Sequence, residues 1–527
     1  EMTNSDWSSD VCSSDLWSPQ RVGAAGEGPP GSSGLRAGRF GGKSQHLSRI
    51  RIMKKLVTLL LAAGLVFSAA NSASAVEVKT SGTMDFAFDW TQNIETNFQD
   101  YDDAGINQKH FGAVQRFRLG LEFVMSENLS ATYQAQVGTF TWGGPTTANA
   151  LGGNNSEGTG GVLGSRSANI VTRLAYLDWM VPNTSVKVRM GQQSVALPSF
   201  TFGSPVLDDT ATGVVVAAPL TDNFGLTGLW LRADSGFRRG NVNTEFRADD
   251  NFDIFGLIGD VKGDGFQVQP WAVVGLIGKN AGAGVDGQGR PLNRWDDPKA
   301  GNATAWWAGI SGELTMFDPF RLTADFMYSD VSVKHSKVDD ETGWYAALGA
   351  EYKTAYGTPA LKGWYASGDS KKHIKDGKRG GNLAELSGGF NATSTFYDGA
   401  FGLGKHIGVA SPNGSWGISA QWNDISFVEN LSHALSVTYV QGTNNKHNRI
   451  APDDGYLTTK DSLVEIDFNT TYNIYQNLAT VLELGYIFEN FDGKNAVATG
   501  AFPATSGSDK AKFSNAWRAS LNFQYTF

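Results

Sequence analysis

Apolar and polar side chains alternate one by one in many segments of the chain after residue 76. In the last of these segments every second residue from Trp517 to Phe527 is apolar, and the residues between them, from Arg518 to Thr526, are polar or charged. A repeat of two residues places successive side chains on opposite faces, as in a β-strand that has one apolar face. The same alternation occurs in the segments 84–90, 117–125, 344–352, 416–422 and 478–488.

The connections between these segments are short and long by turns. Short ones lie at residues 126–128, 182–185, 219–223, 262–265, 317–319, 355–358 and 474–477. Long ones, rich in Gly, Asn, Asp and Ser, lie near residues 92–113, 143–167, 194–212, 234–250, 279–302, 369–413, 444–460 and 490–512. A transmembrane β-barrel has tight turns at its periplasmic end and long external loops, whereas a soluble sandwich has no reason to sort its loops in this way.

The alternation therefore predicts an all-β fold, a closed transmembrane barrel of antiparallel strands. We count about 18 strands, and removing the weakest hairpin, 212–233, leaves 16; both numbers are even, as in single-chain bacterial barrels. Closure is required because a strand in hydrocarbon cannot leave its backbone N–H and C=O groups unpaired. After Ala75 there is no run of 18 or more apolar residues, so the sequence offers no candidate transmembrane helix.

The N-terminal part of the chain predicts export. Lys54 and Lys55 precede the apolar stretch 56–67, and the residues 73–75 read Ala-Ser-Ala, the form of a signal-peptidase site. This layout makes residues 53–75 a secretory signal peptide rather than a buried helix. Residues 1–52 lack apolar periodicity and contain SDWSSDVCSSDL, which looks like a translated sequencing adapter. We interpret them as a non-native, disordered leader, and 76–527 as the barrel domain.

Composition narrows the class of protein further. The one cysteine, Cys12, lies in the leader, so the exported part cannot form disulfides. After residue 75 the chain has 35 Lys and Arg against 47 Asp and Glu, a net charge of −12, which argues against nucleic acid as a partner. Charged residues make up 18% of the whole chain, fewer than in most soluble domains.

The cleavable signal, the alternating strands, the two classes of loop and the terminal Phe527 together resemble the trimeric general porins of Gram-negative outer membranes. They are most similar to the outer-membrane homotrimeric porins of sulfate-reducing bacteria. The resemblance covers residues 76–527 and implies a homotrimer in outer-membrane lipid. It also implies that Tyr525 and Phe527 form the signal that the barrel-assembly machinery reads in the last strand.

The resemblance further implies that the third long connection folds into the pore. This connection carries Pro198, Phe200, Phe202, Asp208 and Asp209, which are predicted to form the constriction. Its acids are expected to face basic residues on the opposite wall. Strand alternation places four such residues in the lumen, because a charge that faced lipid at midplane would cost about 2–4 kcal/mol; they are Arg116, Arg118, Lys187 and Arg189. The alternative is that these four are ordinary solvated residues with structural ion pairs.

Other motifs do not predict a reaction or a cofactor. Residues 399–406 read GAFGLGKH, which has P-loop spacing, but His406 stands where Ser or Thr should bind Mg²⁺ and no βαβ unit surrounds it. The seven histidines lack zinc-ligand spacing, and the acidic residues 339–341 lack a twelve-residue calcium loop. We find no nucleophile–base pair, so no metal, no cofactor and no enzyme are predicted.

The sequence thus predicts a porin of the cell outer membrane, a water-filled pore for passive diffusion of small hydrophilic solutes and ions. The main alternative is a substrate-specific channel for a sugar or an anion on a similar barrel. An outer-membrane enzyme and a structural or adhesive surface protein are weaker alternatives. The first would need a catalytic cluster at one rim, and the second would not conduct ions.

Overall fold

The computed structural model describes residues 76–94, 98, 109–143, 170–234, 251–278, 302–333, 341–371, 380–447, 457–498 and 508–527. The predicted leader 1–52 and signal peptide 53–75 lie outside the described residues. The described residues form eighteen strands, of which the first nine are β1 (Glu77–Gln92), β2 (Lys109–Ser126), β3 (Leu129–Thr141), β4 (Ile170–Met180), β5 (Lys187–Ala196), β6 (Asp208–Pro219), β7 (Phe224–Asp234), β8 (Phe252–Gly263) and β9 (Phe266–Ile277).

The second half of the chain supplies the other nine strands and one short helix. They are β10 (Ala303–Phe317), β11 (Phe320–Val333), β12 (Glu341–Tyr352), β13 (Thr358–Ala366), β14 (Ser415–Val428), β15 (Leu431–Gly442), β16 (Ser462–Tyr475), β17 (Leu478–Asn490), α1 (Gly493–Ala498) and β18 (Ala516–Thr526). Among the described residues, no helix is both long and apolar enough to cross a bilayer.

The eighteen strands form one closed antiparallel sheet, in which each strand pairs with its sequence neighbours and β1 pairs with β18. The closing seam runs from Thr83 opposite Thr526 to Gln92 opposite Trp517. At the end of the seam where the short turns lie, Gly82 and Phe527 exchange two backbone hydrogen bonds of 2.9 and 3.1 Å. Closure leaves no sheet edge along this seam, which confirms the predicted barrel. The barrel has 18 strands rather than 16. The weak hairpin 212–233 is present as β6 and β7.

Short and long connections alternate around the barrel as predicted. The longest connection at the short-turn end is the six-residue stretch 181–186, and the shortest ones have two residues. The sequence pattern missed one of these turns, Glu429-Asn430, where Asn430 takes a φ of +61°. It also missed the connection between β11 and β12, which spans only residues 334–340. Following the loop-length rule, we call the short-turn end periplasmic and the other end external.

The outward face of the barrel is apolar. Leu348, Leu361 and Ile418 are among its most exposed side chains, at 69%, 54% and 46%. Aromatic side chains lie near both ends of the strands, for example Trp306 externally and Tyr475 at the periplasmic end. An apolar band between two aromatic girdles on a closed barrel is the surface of an integral outer-membrane protein. The predicted localisation therefore follows from the shape and surface of the barrel.

The buried core lies inside the barrel, unlike that of a soluble protein. Its largest members come from inward positions on the strands, such as Trp307, Tyr345 and Trp364, and from connections that enter the lumen, such as Phe202 and Phe390. An empty eighteen-stranded barrel would hold water at these positions. Among the described connections, 197–207 and 380–414 contribute most of the buried residues that do not belong to strands, and these two define the candidate site.

Candidate functional site: two loops inside the barrel

The first inserted loop comprises residues 197–207, between β5 and β6. Backbone N–H groups of Phe200 and Thr201 donate to the two carboxylate oxygens of Asp325 on β11, at 2.9 and 3.0 Å. Ser311 on β10 donates its hydroxyl to the carbonyl of Pro198 at 2.8 Å. The loop is thus fixed to the wall strands β10 and β11. These contacts place the loop inside the barrel, and its role as the constriction stays a prediction.

The second inserted loop comprises residues 380–414, between β13 and β14. Thr395 and Phe396 donate their backbone N–H groups to Glu465 on β16, at 2.7 and 3.1 Å. Phe401 donates its N–H to Glu483 on β17 at 2.7 Å. Carboxylates on the wall therefore hold this loop as Asp325 holds the first one. The sequence pattern placed this connection among the long loops of the external end, where it does leave the sheet, but it did not predict that the loop folds into the lumen.

The two inserted loops are joined to each other by backbone hydrogen bonds. Gly389 donates to the carbonyl of Ser204, and Asn391 donates to the carbonyl of Phe202, both at 2.9 Å. Gly203 makes this contact possible, because its φ is +79° and a Cβ there would lie 2.2 Å from the carbonyl oxygen of Gly389. A residue with a side chain would be strained and would clash with the neighbouring loop. The loops therefore form one unit inside the lumen.

An aromatic cluster fills the space between this unit and the wall. The ring of Phe390 lies 5.5 Å from Phe202, 5.2 Å from Trp364 and 4.8 Å from Tyr397. Tyr397 is fully buried, and burial raises the pKa of its phenol far above the ordinary value. The neutral hydroxyl contacts Ser415 Oγ at 2.9 Å, and Ser415 Oγ donates to the carbonyl of Pro412 at 2.6 Å. Tyr397 is therefore the donor in the first contact.

Three carboxylates lie together where the two loops meet. Asp208 and Asp209 are the first residues of β6 rather than part of the loop. Asp209 accepts a 2.6 Å hydrogen bond from the hydroxyl of Ser387, and the carboxylates of Asp209 and Asp398 act repulsively on Asp208. No ion pair joins Asp208 or Asp209 to a cation within the residues that the structure describes. This acidic edge, Asp208, Asp209 and Asp398, carries negative charge at the boundary of the inserted loops.

A histidine is attached to the acidic edge. His406 Nε2 lies 3.1 Å from Asp398 Oδ1, and Nδ1 lies 2.9 Å from the carbonyl oxygen of Gly404. Both ring nitrogens of His406 thus lie at hydrogen-bond distance from oxygen atoms of the same loop. These contacts stabilise the fold of the glycine-rich segment 399–406 itself, and the wall residues Glu483 and Arg518 bind its backbone at Phe401 and Lys405.

The predicted basic residues all point into the lumen, but in two separate places. On β2, Arg116 Nε lies 3.5 Å from Asp85, and Arg118 Nε donates to Gln136 Oε1 at 2.8 Å. These two arginines are four strands from β6 around the closed sheet, whereas the directly opposite strand is nine strands away. That Arg116 and Arg118 face the acids of the constriction across the pore stays a prediction.

Lys187 and Arg189 lie elsewhere than predicted. They are on β5, the strand beside β6, and pair with Ala217 and Val215. Both contact Asp178: Arg189 through Nε at 2.7 Å and Lys187 through Nζ at 3.0 Å. They therefore share a wall with the acidic edge and lie toward the periplasmic end, rather than across the lumen from it. Their ion pairs match the structural alternative stated for these residues.

The two residues of the predicted assembly signal face outward. The rings of Tyr525 and Phe527 stack with centroids 5.9 Å apart, and Phe527 also stacks on Phe117 at 6.3 Å. Phe527 covers the backbone of Gly82, where a Cβ would lie 2.4 Å from its ring. Recognition of these residues by the assembly machinery is not visible in the folded barrel and stays a prediction.

Comparison with solved structures finds several to which the chain is similar. The chain is similar to Pseudomonas aeruginosa OpdQ, with a TM-score of 0.46, 12% identity and coverage of 85% of this chain and 98% of that one. For Acinetobacter baumannii OccAB3 the values are 0.47, 10%, 86% and 99%, and for Pseudomonas aeruginosa OprD they are 0.46, 10%, 87% and 98%. No protein-family model and no curated protein matches the chain. We therefore base the function on the geometry of this chain.

The sequence held a signal for the second inserted loop that the strand pattern did not use. An external loop is solvated, yet this one carries Phe390, Phe396 and Tyr397, all at most 1% exposed. Apolar aromatic residues between glycines indicate a segment that packs against other backbone. Within the described ranges, no group of three or more His, Cys, Asp and Glu side chains is placed to hold a metal ion.

Proposed function

We propose that this chain is an outer-membrane channel that selects among small hydrophilic solutes. This proposal adopts the substrate-specific alternative in place of a general diffusion pore. The observation that supports this proposal is the pair of inserted loops, which hydrogen-bond to each other and share one aromatic cluster across the lumen. Passage is left to the part of the lumen that the loops do not fill. A narrow passage with fixed walls discriminates by size and by polar contacts, while a wide one discriminates little.

The charge at this passage favours solutes that carry a positive group. Asp208, Asp209 and Asp398 lie at the boundary of the loops, and the carboxylates repel one another. Fixed negative charge in a low-dielectric channel raises the local concentration of cations. A basic amino acid or an amine-bearing sugar fits this edge better than an anion does. Arg116 and Arg118 on β2 would contact the carboxylate of a zwitterion on the same path.

Reconstitution of residues 76–527 tests the proposal. Steps of conductance in planar bilayers would show a channel, and the reversal potential across a salt gradient would show its preference for cations. Swelling of liposomes in neutral sugars of increasing size would give the size limit. Conductance that saturates with a permeating solute supports a selective channel. Unsaturated flux of every small solute up to a common size limit would instead establish the general diffusion porin.

We also propose that the barrel assembles as a homotrimer through the outer faces of β4, β5 and β6. The external girdle has an outward aromatic residue on most described strands, for example Trp90 on β1, Trp230 on β7 and Trp306 on β10, and β4 to β6 form the longest run of adjacent strands without one. The external ends of β4 to β6 have none: β4 presents the aliphatic residues Ile170 and Val171, and β5 and β6 present small or polar residues such as Ser194 and Thr210. Aromatic side chains mark contact with the lipid interface, so their absence supports contact with protein there.

A bulky substitution in this gap tests the trimer. Ser194→Trp should give monomers by native mass measurement and by crosslinking in detergent, because the ring prevents close approach of a second barrel. Thr304→Trp on β10 is the matched control, since it adds the same ring at the external end of a strand inside the continuous girdle. A wild-type chain that is monomeric in mild detergent and in native membranes would refute the trimer and leave the channel proposal intact.

A further inference from the structure

The two inserted loops are held by the same device at two distant places in the barrel. In each case two successive backbone N–H groups donate to the two oxygens of one carboxylate on the wall. Phe200 and Thr201 donate to Asp325, and Thr395 and Phe396 donate to Glu465. We call the carboxylates of Asp325 and Glu465 the two clamps.

Both clamps are buried, so their hydrogen-bond partners must take the place of water. Asp325 is 3% exposed and Glu465 is 0% exposed. A carboxylate without water needs its acceptor capacity filled by donors, and a backbone N–H without water needs an acceptor. Each clamp satisfies both requirements at once, so wall and loop are stable only together. No lysine or arginine is paired with either clamp within the described part of the chain.

An amide cannot replace a clamp carboxylate, although it has the same shape. Asparagine and glutamine present one acceptor oxygen and one NH₂ donor. In the Asp325→Asn variant one of the two loop N–H groups would meet the NH₂ group and lose its acceptor. The same holds for Glu465→Gln. Size is unchanged, so any effect comes from the hydrogen bonds and the charge.

We infer that Asp325 and Glu465 are positioning residues that set the width of the passage by holding the inserted loops in the lumen. This inference rests on the proposed function, because it assumes that the loops restrict the passage. The clamps touch no solute on this view. They act through the loop backbone, and the acidic edge and aromatic cluster keep their places only while the clamps hold.

The test compares each clamp variant with a wall variant that undergoes the same change from carboxyl to amide. Asp325→Asn is matched by Asp260→Asn, because Asp260 on β8 accepts only from the Gln267 and Gln269 side chains among its described contacts. Glu465→Gln is matched by Glu313→Gln, whose partner Arg321 keeps a second contact with Glu351 at 3.1 Å. Resistance of the unheated protein to unfolding in SDS shows for every variant that the barrel is closed.

In the clamp variants, a state with a displaced loop should be populated about ten- to hundred-fold more than in the wild type. This factor corresponds to the free energy that is lost with charge-assisted hydrogen bonds. Single-channel records should show frequent steps of larger conductance, and liposomes should admit larger sugars. The matched variants should keep the wild-type conductance steps and size limit, apart from a shift in ion preference.

A disulfide gives a second, independent measurement. The hydroxyl oxygens of Thr201 and Thr323 are 3.1 Å apart, so cysteines at both positions can form a bond that ties the first loop to β11. The predicted mature chain has no cysteine of its own. In the Asp325→Asn background the oxidised pair should restore the wild-type conductance, and a reductant should abolish the rescue.

The outcomes separate the inference from the proposed function. A selective wild-type channel whose clamp variants keep its size limit would overturn the inference while the proposed function stands. A wild-type channel without selectivity would overturn the proposed function first. If a closed clamp variant gains large steps that the oxidised disulfide removes, the positioning role is established.

Discussion

Arg518 and Glu483 form an ion pair with a 2.7 Å contact, and neither side chain is exposed. Arg518 also donates to the carbonyl of Lys405, and Phe401 donates its N–H to Glu483, so the pair lies beneath the second inserted loop. In a low dielectric, removing one member leaves the other charge without compensation, which costs about 3–5 kcal/mol. This pair therefore links the stability of the barrel seam to the loop that covers it.

The first prediction concerns this pair. Arg518→Met should lower the temperature at which the barrel loses its SDS-resistant form, because Glu483 is left buried without its cation. The double variant Arg518→Met/Glu483→Gln should recover part of that loss, since the charge of Glu483 is gone, although buried Asp89 still lacks its interaction with Arg518. Melting followed by gel mobility and by β-sheet circular dichroism checks both. A double variant less stable than the single one would contradict the explanation.

The second prediction concerns the contact between the two loops. Gly203→Ala should separate the loops, because a Cβ there would lie 2.2 Å from the carbonyl oxygen of Gly389 and the φ of +79° is strained for alanine. Gly228→Ala is the control, since no atom lies within 4 Å of a Cβ at Gly228. Single-channel recording should show larger and noisier steps for the first variant alone. Equal traces for the two variants would mean that the loops tolerate separation.

The barrel could be predicted from the sequence because its determinants are local. A period of two residues, visible for example from Trp517 to Phe527, reports which side of a strand meets lipid, and loop lengths report which end it faces. Closure then follows from the need to pair every backbone group. The orientation of Arg116 and Arg118 into the lumen follows from the same rule, and the structure agrees with it.

The inserted loops could not be fully predicted because their determinants are non-local. Thr395 and Glu465 are 70 residues apart in sequence, and Phe200 and Asp325 are 125 apart. Nothing near Glu465 in the sequence indicates that its carboxylate accepts from a loop rather than facing water. Glycine and aromatic residues in the second inserted loop indicate packing, but they do not say against which strand. The position of Lys187 beside β6, rather than opposite it, likewise follows from strand order around the closed sheet.

The third prediction concerns ion preference at the acidic edge. Asp208→Asn/Asp209→Asn should shift selectivity toward anions. A unit charge at about 4 Å contributes about 1 kcal/mol even in water, so the cation-to-anion permeability ratio should fall about five-fold or more. The reversal potential across a ten-fold salt gradient measures the ratio.

The control for the acidic edge removes two charges far from it. Asp222→Asn/Glu429→Gln changes exposed residues in two periplasmic turns. Its reversal potential should stay near the wild-type value at physiological salt, where charges beyond about 8 Å are screened. If the Asp208→Asn/Asp209→Asn variant leaves the potential unchanged, these two acids do not line the ion path.

The fourth prediction separates the folded role of Phe527 from its role in assembly. In the folded barrel the ring is 46% exposed and stacks on Phe117 and Tyr525, so Phe527→Ala should cost only about 1–2 kcal/mol of stability. If the C-terminal aromatic is the assembly signal, the variant should reach the outer membrane far less than this small cost explains. Refolding the purified variant into detergent should then give nearly normal yields, while the folded amount in cells drops severely.

Leu478→Ala is the matched control, because it truncates an apolar side chain paired with Tyr525 across the β17–β18 ladder. Equal losses in cells for the two variants would show that Phe527 acts through packing alone.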